Sequence, residues 1–252
     1  MNPVKATLYT IAGTPNGRIA ERMLEHKHVR YRRVELPQAL HKPIIRLLGF
    51  GGNTVPALKL DGRKVLGTLA ISKALDTARP DPPLFPRDPK LRTEVEEAER
   101  WGEEVLQTIP RRVILWALLR DPRAATSFVD RGPFARLPGW LVSTLAWPLA
   151  RIQVRLNRTG DGPACAALDE LPGALDHVEE LIGRGVLDGD ELTAADYQIG
   201  CSLRILMCLD DLRPLIEAHP AGRLALRVCP HYPGSIGPVL RPDELPGHPA
   251  AR

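Results

Sequence analysis

The chain is poor in cysteine, in aromatic side chains and in lysine, and it has no long apolar run. Four cysteines in 252 residues (Cys165, Cys201, Cys208 and Cys229) are too few and too late for a disulfide scaffold. No CxxC pair is present, so zinc-ribbon and dithiol-redox chemistry lose their usual carriers. The longest uncharged stretch, residues 137–150, is interrupted by Pro138, Gly139 and Pro148. A bilayer-crossing helix needs about 20 apolar residues, so this stretch is not one. Met1 is followed by Asn-Pro-Val and a strand-like run, not by an apolar leader core, and the expectation is a cytoplasmic protein. Lysine is outnumbered by arginine, 7 to 27, a bias that a GC-rich coding sequence explains as well as any functional demand. With 44% hydrophobic and 25% charged residues, wholesale disorder is excluded.

What is abundant is proline, and it is clustered. Residues 80–89 hold five prolines, which neither a helix interior nor a central strand accepts, so this stretch reads as a semi-rigid linker. The charge changes sign there. Residues 1–80 carry 14 Lys and Arg against five acids (+9), and the other 172 residues carry 20 against 25 (−5), which together make the net +4. The expected organisation is a basic domain over 1–79, the linker over 80–89, a second domain over 90–228, and an irregular tail over 229–252. The tail reading rests on six prolines and three glycines in the last 23 residues.

Before the linker short elements alternate. Residues 6–11 and 31–36 are β-rich, and 17–26 carry a helical stripe of Ile19, Ala20, Met23 and Leu24. Residues 44–48 give a short helix. Strands at 57–60 and 64–66 flank Asp61-Gly62, a hairpin turn, and Thr68 is placed to cap a helix to about residue 78. The order is βαβαββα. After the linker the pattern is helical: 91–107 up to a break near Pro110, then 109–119, 145–156, 165–183, 194–209 and 213–227. The fold class is therefore an α/β domain followed by an all-α one.

Three places in the basic domain favour an anion. Thr14-Pro15-Asn16-Gly17-Arg18 joins the first strand to the first helix, where N–H groups and the helix dipole attract negative charge, a thiolate being one example; an ordinary N-cap at Thr14 or Asn16 is the plain alternative. Val55-Pro56 stands before a strand, where a cis bond would let Val55 offer its own peptide groups to a peptide-like ligand. Gly67-Thr68 opens a second helix N-terminus with a hydroxyl, or a simple cap.

These residues resemble a known family. Leu8-Tyr9, Thr14-Pro15 with Arg18, Asn53-Thr54-Val55-Pro56-Ala57-Leu58, and Asp61-Gly62 with Val65-Leu66-Gly67-Thr68-Leu69-Ala70-Ile71 are similar to the thioredoxin-like half of the cytosolic glutathione transferases. Leu192-Thr193-Ala194-Ala195-Asp196-Tyr197 extends the likeness into the helical half, with Thr193 and Asp196 as a capping box. The resemblance implies a thioredoxin-like domain followed by a helical bundle, a homodimer, and detoxification by conjugation of glutathione, or another low-molecular-weight thiol, to a hydrophobic electrophile. It implies catalysis by Thr14. Asn16, Lys42 (with His41), Asn53, Thr54, Val55, Pro56, Gly67 and Thr68 would bind the thiol peptide, and Arg112 and Trp116 would line the electrophile site. Two positions depart from the family pattern. Gly67 stands where an acid usually pairs with the glutamyl ammonium, and the catalytic position holds Thr in place of Ser, Cys or Tyr. These departures keep a second reading open: a binding protein of the same fold with little or no turnover, serving as a ligand carrier or membrane-associated partner.

Residues 131–160 fall outside the likeness. They contain Arg131, Arg136, Arg151, Arg155 and Arg158 with Trp140 and Trp147 and no acid. A helix packed on the second domain or at a dimer interface is the plain reading, and weak contact with a membrane surface is the alternative. Nothing matches a nucleic-acid-binding fold. His26, His28 and His41 sit among Lys and Arg, so no metal is expected, and Cys201 and Cys208 are placed in the core.

Overall fold

The computed structural model describes residues 5–129 and 161–246. The first domain has the expected βαβαββα order: β1 (Ala6–Thr10), α1 (Pro15–His26), β2 (Tyr31–Glu35), α2 (His41–Leu47), β3 (Ala57–Leu60), β4 (Arg63–Leu66) and α3 (Thr68–Ala78). The sheet order is β2-β1-β3-β4, with β1 parallel to β2 and antiparallel to β3. The β3–β4 turn is made by Asp61 and Gly62, both at positive φ, as their sequence demands. The α1 stripe of Ile19, Ala20, Met23 and Leu24 is fully buried against Leu8 and Leu58 of the sheet and Ile71 and Leu75 of α3. Ile19, Met23 and Leu24 each contribute roughly 1.5–3 kcal/mol of burial.

The linker leads into α4 (Pro89–Trp101), started by Asp88, whose carboxylate accepts the Leu91 N–H at 2.8 Å, with Pro89 in the first turn. The expected helix over 91–107 does not run through as one: a π-helical turn, Gly102–Leu106, separates α4 from α5 (Thr108–Arg120). A 3-10 turn, Pro122–Phe128, follows. The second domain continues with α6 (Asp161–Gly183), α7 (Ala194–Leu206), α8 (Arg213–Glu217) and α9 (Pro220–Val228). The single helix expected over 213–227 is split, because Pro220 cannot continue α8 and the His219 imidazole instead accepts the Ala221 N–H to open α9. The expected helix over 145–156 and the basic insert lie outside the described residues.

The two domains share one hydrophobic core. His26 of α1 bonds the Pro83 carbonyl of the linker (3.1 Å) and the Tyr197 hydroxyl of α7 (3.0 Å) through its two ring nitrogens. Arg22 donates to the Val228 carbonyl at 2.8 Å. The Asp196 carboxylate accepts from the Thr193 N–H (2.7 Å), the Thr193 hydroxyl (2.8 Å) and the Asp188 N–H (2.7 Å), so the motif at 192–197 anchors the start of α7. Cys201 and Cys208 are buried as expected, and all four cysteines are free thiols.

The stretch after Val228 is irregular in backbone but firmly packed. Ile236 pairs with Leu209 in a parallel bridge, and the Val239 and Leu240 N–H groups donate to Asp211 at 2.7 and 3.0 Å. Glu244 pairs with Arg120 at 2.6 Å. Residues 229–246 therefore form a packed strap.

Candidate functional site

Strand register brings the three anion-favouring elements to one end of the sheet. Tyr9 of β1 pairs with Ala57 of β3, and Ala57 pairs with Leu66 of β4. The chain leaving β1 (residues 11–14), the chain entering β3 (Val55-Pro56) and the chain leaving β4 (Gly67-Thr68) thus share an edge. The Gly67 N–H donates to the Pro56 carbonyl at 3.0 Å, tying two of them together. The Val55–Pro56 peptide is cis. β2 ends there too, since Thr10 pairs with Glu35, so the loop toward Lys42 starts from the same edge.

Thr14 is the residue preceding α1, and no acid occupies the first turn of that helix. A Cβ at Gly17 would lie 2.0 Å from the Thr10 hydroxyl, so glycine is what lets α1 start this close to β1. The Thr14 hydroxyl does not cap α1; it donates to the Ile11 carbonyl at 2.9 Å. In this rotamer its proton is committed to the protein, and only lone pairs face other groups. Asn16 is half-buried in the first turn of α1.

The other residues divide into those at the edge and those elsewhere. Asn53 and Val55 are half-buried, Thr54 is exposed, and Pro56 is buried. Lys42 is exposed in the first turn of α2, and the His41 ring bonds the Gln38 carbonyl. The expectation that Thr68 caps α3 needs correction. Gly67, at φ +81°, is the cap, and Thr68 is the first helical residue. Its buried hydroxyl crosses to the second domain and donates to Glu103 Oε2 at 3.1 Å. Arg112 is half-buried on α5. Trp116, expected in the electrophile site, is 2% exposed. Its indole N–H donates to Asp161 at 2.8 Å and Arg120 stacks 3.7 Å from its ring, so it joins α5 to α6 as a packing residue.

Two residues that sequence reasoning passed over meet the Thr14 loop. Phe128 packs against Gly13 and Gly234. The Tyr232 hydroxyl donates to the Gly13 carbonyl at 3.1 Å, and Arg18 lies 5.7 Å from its ring centre. Burial holds the Tyr232 phenol well above its ordinary range, so it stays a donor. Gly13, Arg18 and Tyr232 line a shallow recess with Thr10, Thr14, Arg33 and Pro233. Tyr232 stands out in sequence only as a lone aromatic in a run of Pro and Gly.

On the other side of the edge, α4 presents Glu96 and Glu99 and the π turn presents Glu103. Glu99 is 1% exposed. Burial pushes its carboxyl up to about 8, with the charges of Glu103 and Glu96 adding to the rise and Ser72 and Lys73 opposing it. Far from this edge, Asp176, Glu179 and His219 have ligand-type atoms within 4.8 Å of one another. His219 Nδ1 accepts the Ala221 N–H, so Nε2 keeps the proton and faces Glu179 at 3.2 Å as a donor, an arrangement suited to an ion pair more than to a metal.

Comparison with known proteins follows the same division. Residues 8–83 match the family described as glutathione S-transferase, N-terminal domain. No curated protein matches the sequence. Among solved structures, FzlA from C. crescentus has a TM-score of 0.61 at 16% identity, covering 93% of this chain and 96% of its own. The beta-etherase LigF from Sphingobium sp. strain SYK-6 has a TM-score of 0.60 at 18% identity, with coverages of 88% and 93%. A glutathione S-transferase of Ceriporiopsis subvermispora, solved in complex with glutathione, has a TM-score of 0.58 at 15% identity, covering 88% and 94%. The chain has the glutathione S-transferase fold. Residues 8–83 match the N-terminal domain of that family, and the helical domain completes the same fold. The sheet edge carrying Thr14, Val55 and Thr68 is the candidate functional site.

Proposed function

We propose that this protein is a glutathione transferase that holds the thiol peptide along the shared sheet edge and conjugates it to a hydrophobic electrophile. The observation that carries the reading is the register Tyr9–Ala57–Leu66, which brings two helix N-termini and the Val55 peptide groups into one row. A peptide with a carboxylate at one end and a thiol further along has a matching partner for each. The N–H groups at the start of α3 take the γ-glutamyl carboxylate, and Val55 pairs with the cysteinyl backbone. Lys42 and Asn53 face the glycyl carboxylate, and the start of α1 faces the sulfur. The excess of +9 over residues 1–80 raises the local concentration of an anionic thiol.

In the reaction, Thr14 turns its hydroxyl from Ile11 toward the sulfur and donates a hydrogen bond to the thiolate. A two-unit fall in the thiol pKa corresponds to about 2.7 kcal/mol of preference for the thiolate. The sulfur then attacks the electrophilic carbon; with an aromatic halide the S–C bond forms and halide leaves with the bonding pair. Arg112 would border the electrophile. The homodimer belongs to the same proposal, supported by Leu40 and Leu47 on the first domain and Val105 on the second, all left largely exposed.

The Thr14–Ile11 bond favours a second reading, a protein that binds the thiol without turning it over. Retention on immobilised glutathione followed by a conjugation assay with an aromatic halide separates the two. Retention with turnover supports the transferase, retention without turnover supports the carrier, and failure on both counts rejects both. In an active protein Thr14→Ala should lower kcat/KM by about 10–100-fold, the worth of a hydrogen bond to a charged group, and raise the apparent pKa of the bound thiol. An unchanged pH profile would remove Thr14 from the mechanism.

A further inference from the structure

A cavity lies at the end of α1 opposite to Thr14. His26, the last residue of α1, bonds the carbonyl of Pro83, which lines that cavity. Twelve residues of helix set the two ends about 18 Å apart at roughly 1.5 Å per residue. The linker, α4 and the loop between α6 and α7 surround about 230 Å³ there. Its walls are apolar and fixed: Phe85, Val95 and Val186 are buried, and Pro83 and Pro86 stiffen the linker side. The space falls just short of the roughly 300–1,000 Å³ of drug-sized pockets, so a compact ligand suits it.

The polar side chains at this cavity accept hydrogen bonds and do not donate. Asp190 and Glu191 bring carboxylates from the loop before α7. The Thr193 hydroxyl gives its proton to Asp196 at 2.8 Å and keeps only lone pairs for other groups. Backbone donors along the walls are spent as well. The Leu91 amide donates to Asp88, that of Val186 to the Leu181 carbonyl and that of Thr193 to Asp196, while Pro83 and Pro86 have none.

Negative charge is also left over. Among the described residues neither Asp190 nor Glu191 makes an ion pair. The neighbouring arginines are engaged by other acids: Arg184 by Glu94 at 2.8 Å, Arg227 by Asp188 at 2.6 Å and Arg92 by Glu96 at 3.0 Å. Apolar walls with acceptors and two unpaired carboxylates on one side match a ligand that is apolar at one end and a cationic donor at the other.

The geometry points to a second ligand site, separate from the sheet edge, that takes a compact organic cation: a primary ammonium carried on a small apolar body. The body rests on Phe85, Val95 and Val186, and the ammonium donates to Asp190, Glu191 and the Thr193 hydroxyl. A ligand held this way ties the linker to the loop before α7.

The test is an amide-resolved NMR titration of the full chain with 2-phenylethylammonium and with 3-phenylpropionate, which share the ring and differ in the sign of the charge. The cation should bind with a Kd of about 1 mM or tighter, moving signals of residues 83–95 and 185–193 and leaving those of 11–16 in place. The anion should bind at least about threefold more weakly. Asp190→Asn with Glu191→Gln, both on the surface, should weaken the cation about three- to tenfold and hold the anion within about twofold. Leu91→Trp, which fills the cavity, should abolish both. No binding of the cation, shifts centred elsewhere, or equal affinity for the two probes overturns the site, as does a cation affinity that the double variant leaves unchanged.

Discussion

Buried carboxyl groups decide the behaviour of this molecule at the scale of single residues, and Glu99 is the clearest. Its carboxyl rises from 4.5 to about 8 on folding, so between those values the unfolded chain gives up the proton while the folded protein keeps it. Stability from this group is therefore full below pH 4.5 and falls as pH rises toward 8. The whole shift is worth no more than about 5 kcal/mol. Glu99→Gln should remove that decline, so urea midpoints of variant and wild type should diverge steadily from pH 5 to pH 8 in favour of the variant. Parallel curves would show that Glu99 is already ionised when folded. Sequence alone does not reveal such a residue: Glu99 reads as one more acid on the outer face of α4, and only the packing of α4 against α3 shows it inside. The same limit applies to Thr68, whose position in the chain suggests a cap but whose hydroxyl is claimed by Glu103 on another domain.

At the scale of elements, the first domain was legible because its signals are local. Asp61-Gly62 defines a hairpin, the spacing of Ile19, Met23 and Leu24 defines a helix face, and Val55-Pro56 and Gly67-Thr68 mark the ends of strands. Long-range contacts were not legible. The strap over 229–246 has the composition of a loose tail, and its order comes from partners more than a hundred residues away: Gly13, Ser127 and Arg120. The π turn over 102–106 likewise looks like ordinary helix in sequence. Tyr232→Phe removes one hydrogen bond to the Thr14 loop and should cost about 0.5–1.5 kcal/mol of stability. Amide exchange should quicken in residues 13–16 and 232–236 and stay unchanged in β3. Even quickening across the sheet, or none at the loop, would show that the strap does not brace the site.

On the scale of the whole molecule the strap closes the structure through Arg120 and Glu244, a two-pronged contact at 2.6 and 2.7 Å. Arg120, aided by Arg241, holds the Glu244 carboxyl down at about 2 from its ordinary 4.5. This contribution is complete above pH 4.5 and is lost as pH falls toward 2, opposite in direction to that of Glu99. Limited proteolysis at pH 3 should therefore cut within 229–246 before the helices open, and Glu244→Gln should allow the same cut at pH 6. Strap and helices failing together at both pH values would deny the strap its separate release.

The contact of Tyr232 with Gly13 spans 219 positions of sequence. During synthesis the Thr14 loop leaves the ribosome long before its cover exists, by roughly ten to forty seconds at ordinary elongation rates of about 5–20 residues per second. The nascent first domain must hold that loop with its own hydrogen bonds, chiefly those from the Thr14 amide and hydroxyl to Ile11. The bond that holds the Thr14 hydroxyl in the finished protein is thus also the one available to hold the loop while the rest of the chain is still being made.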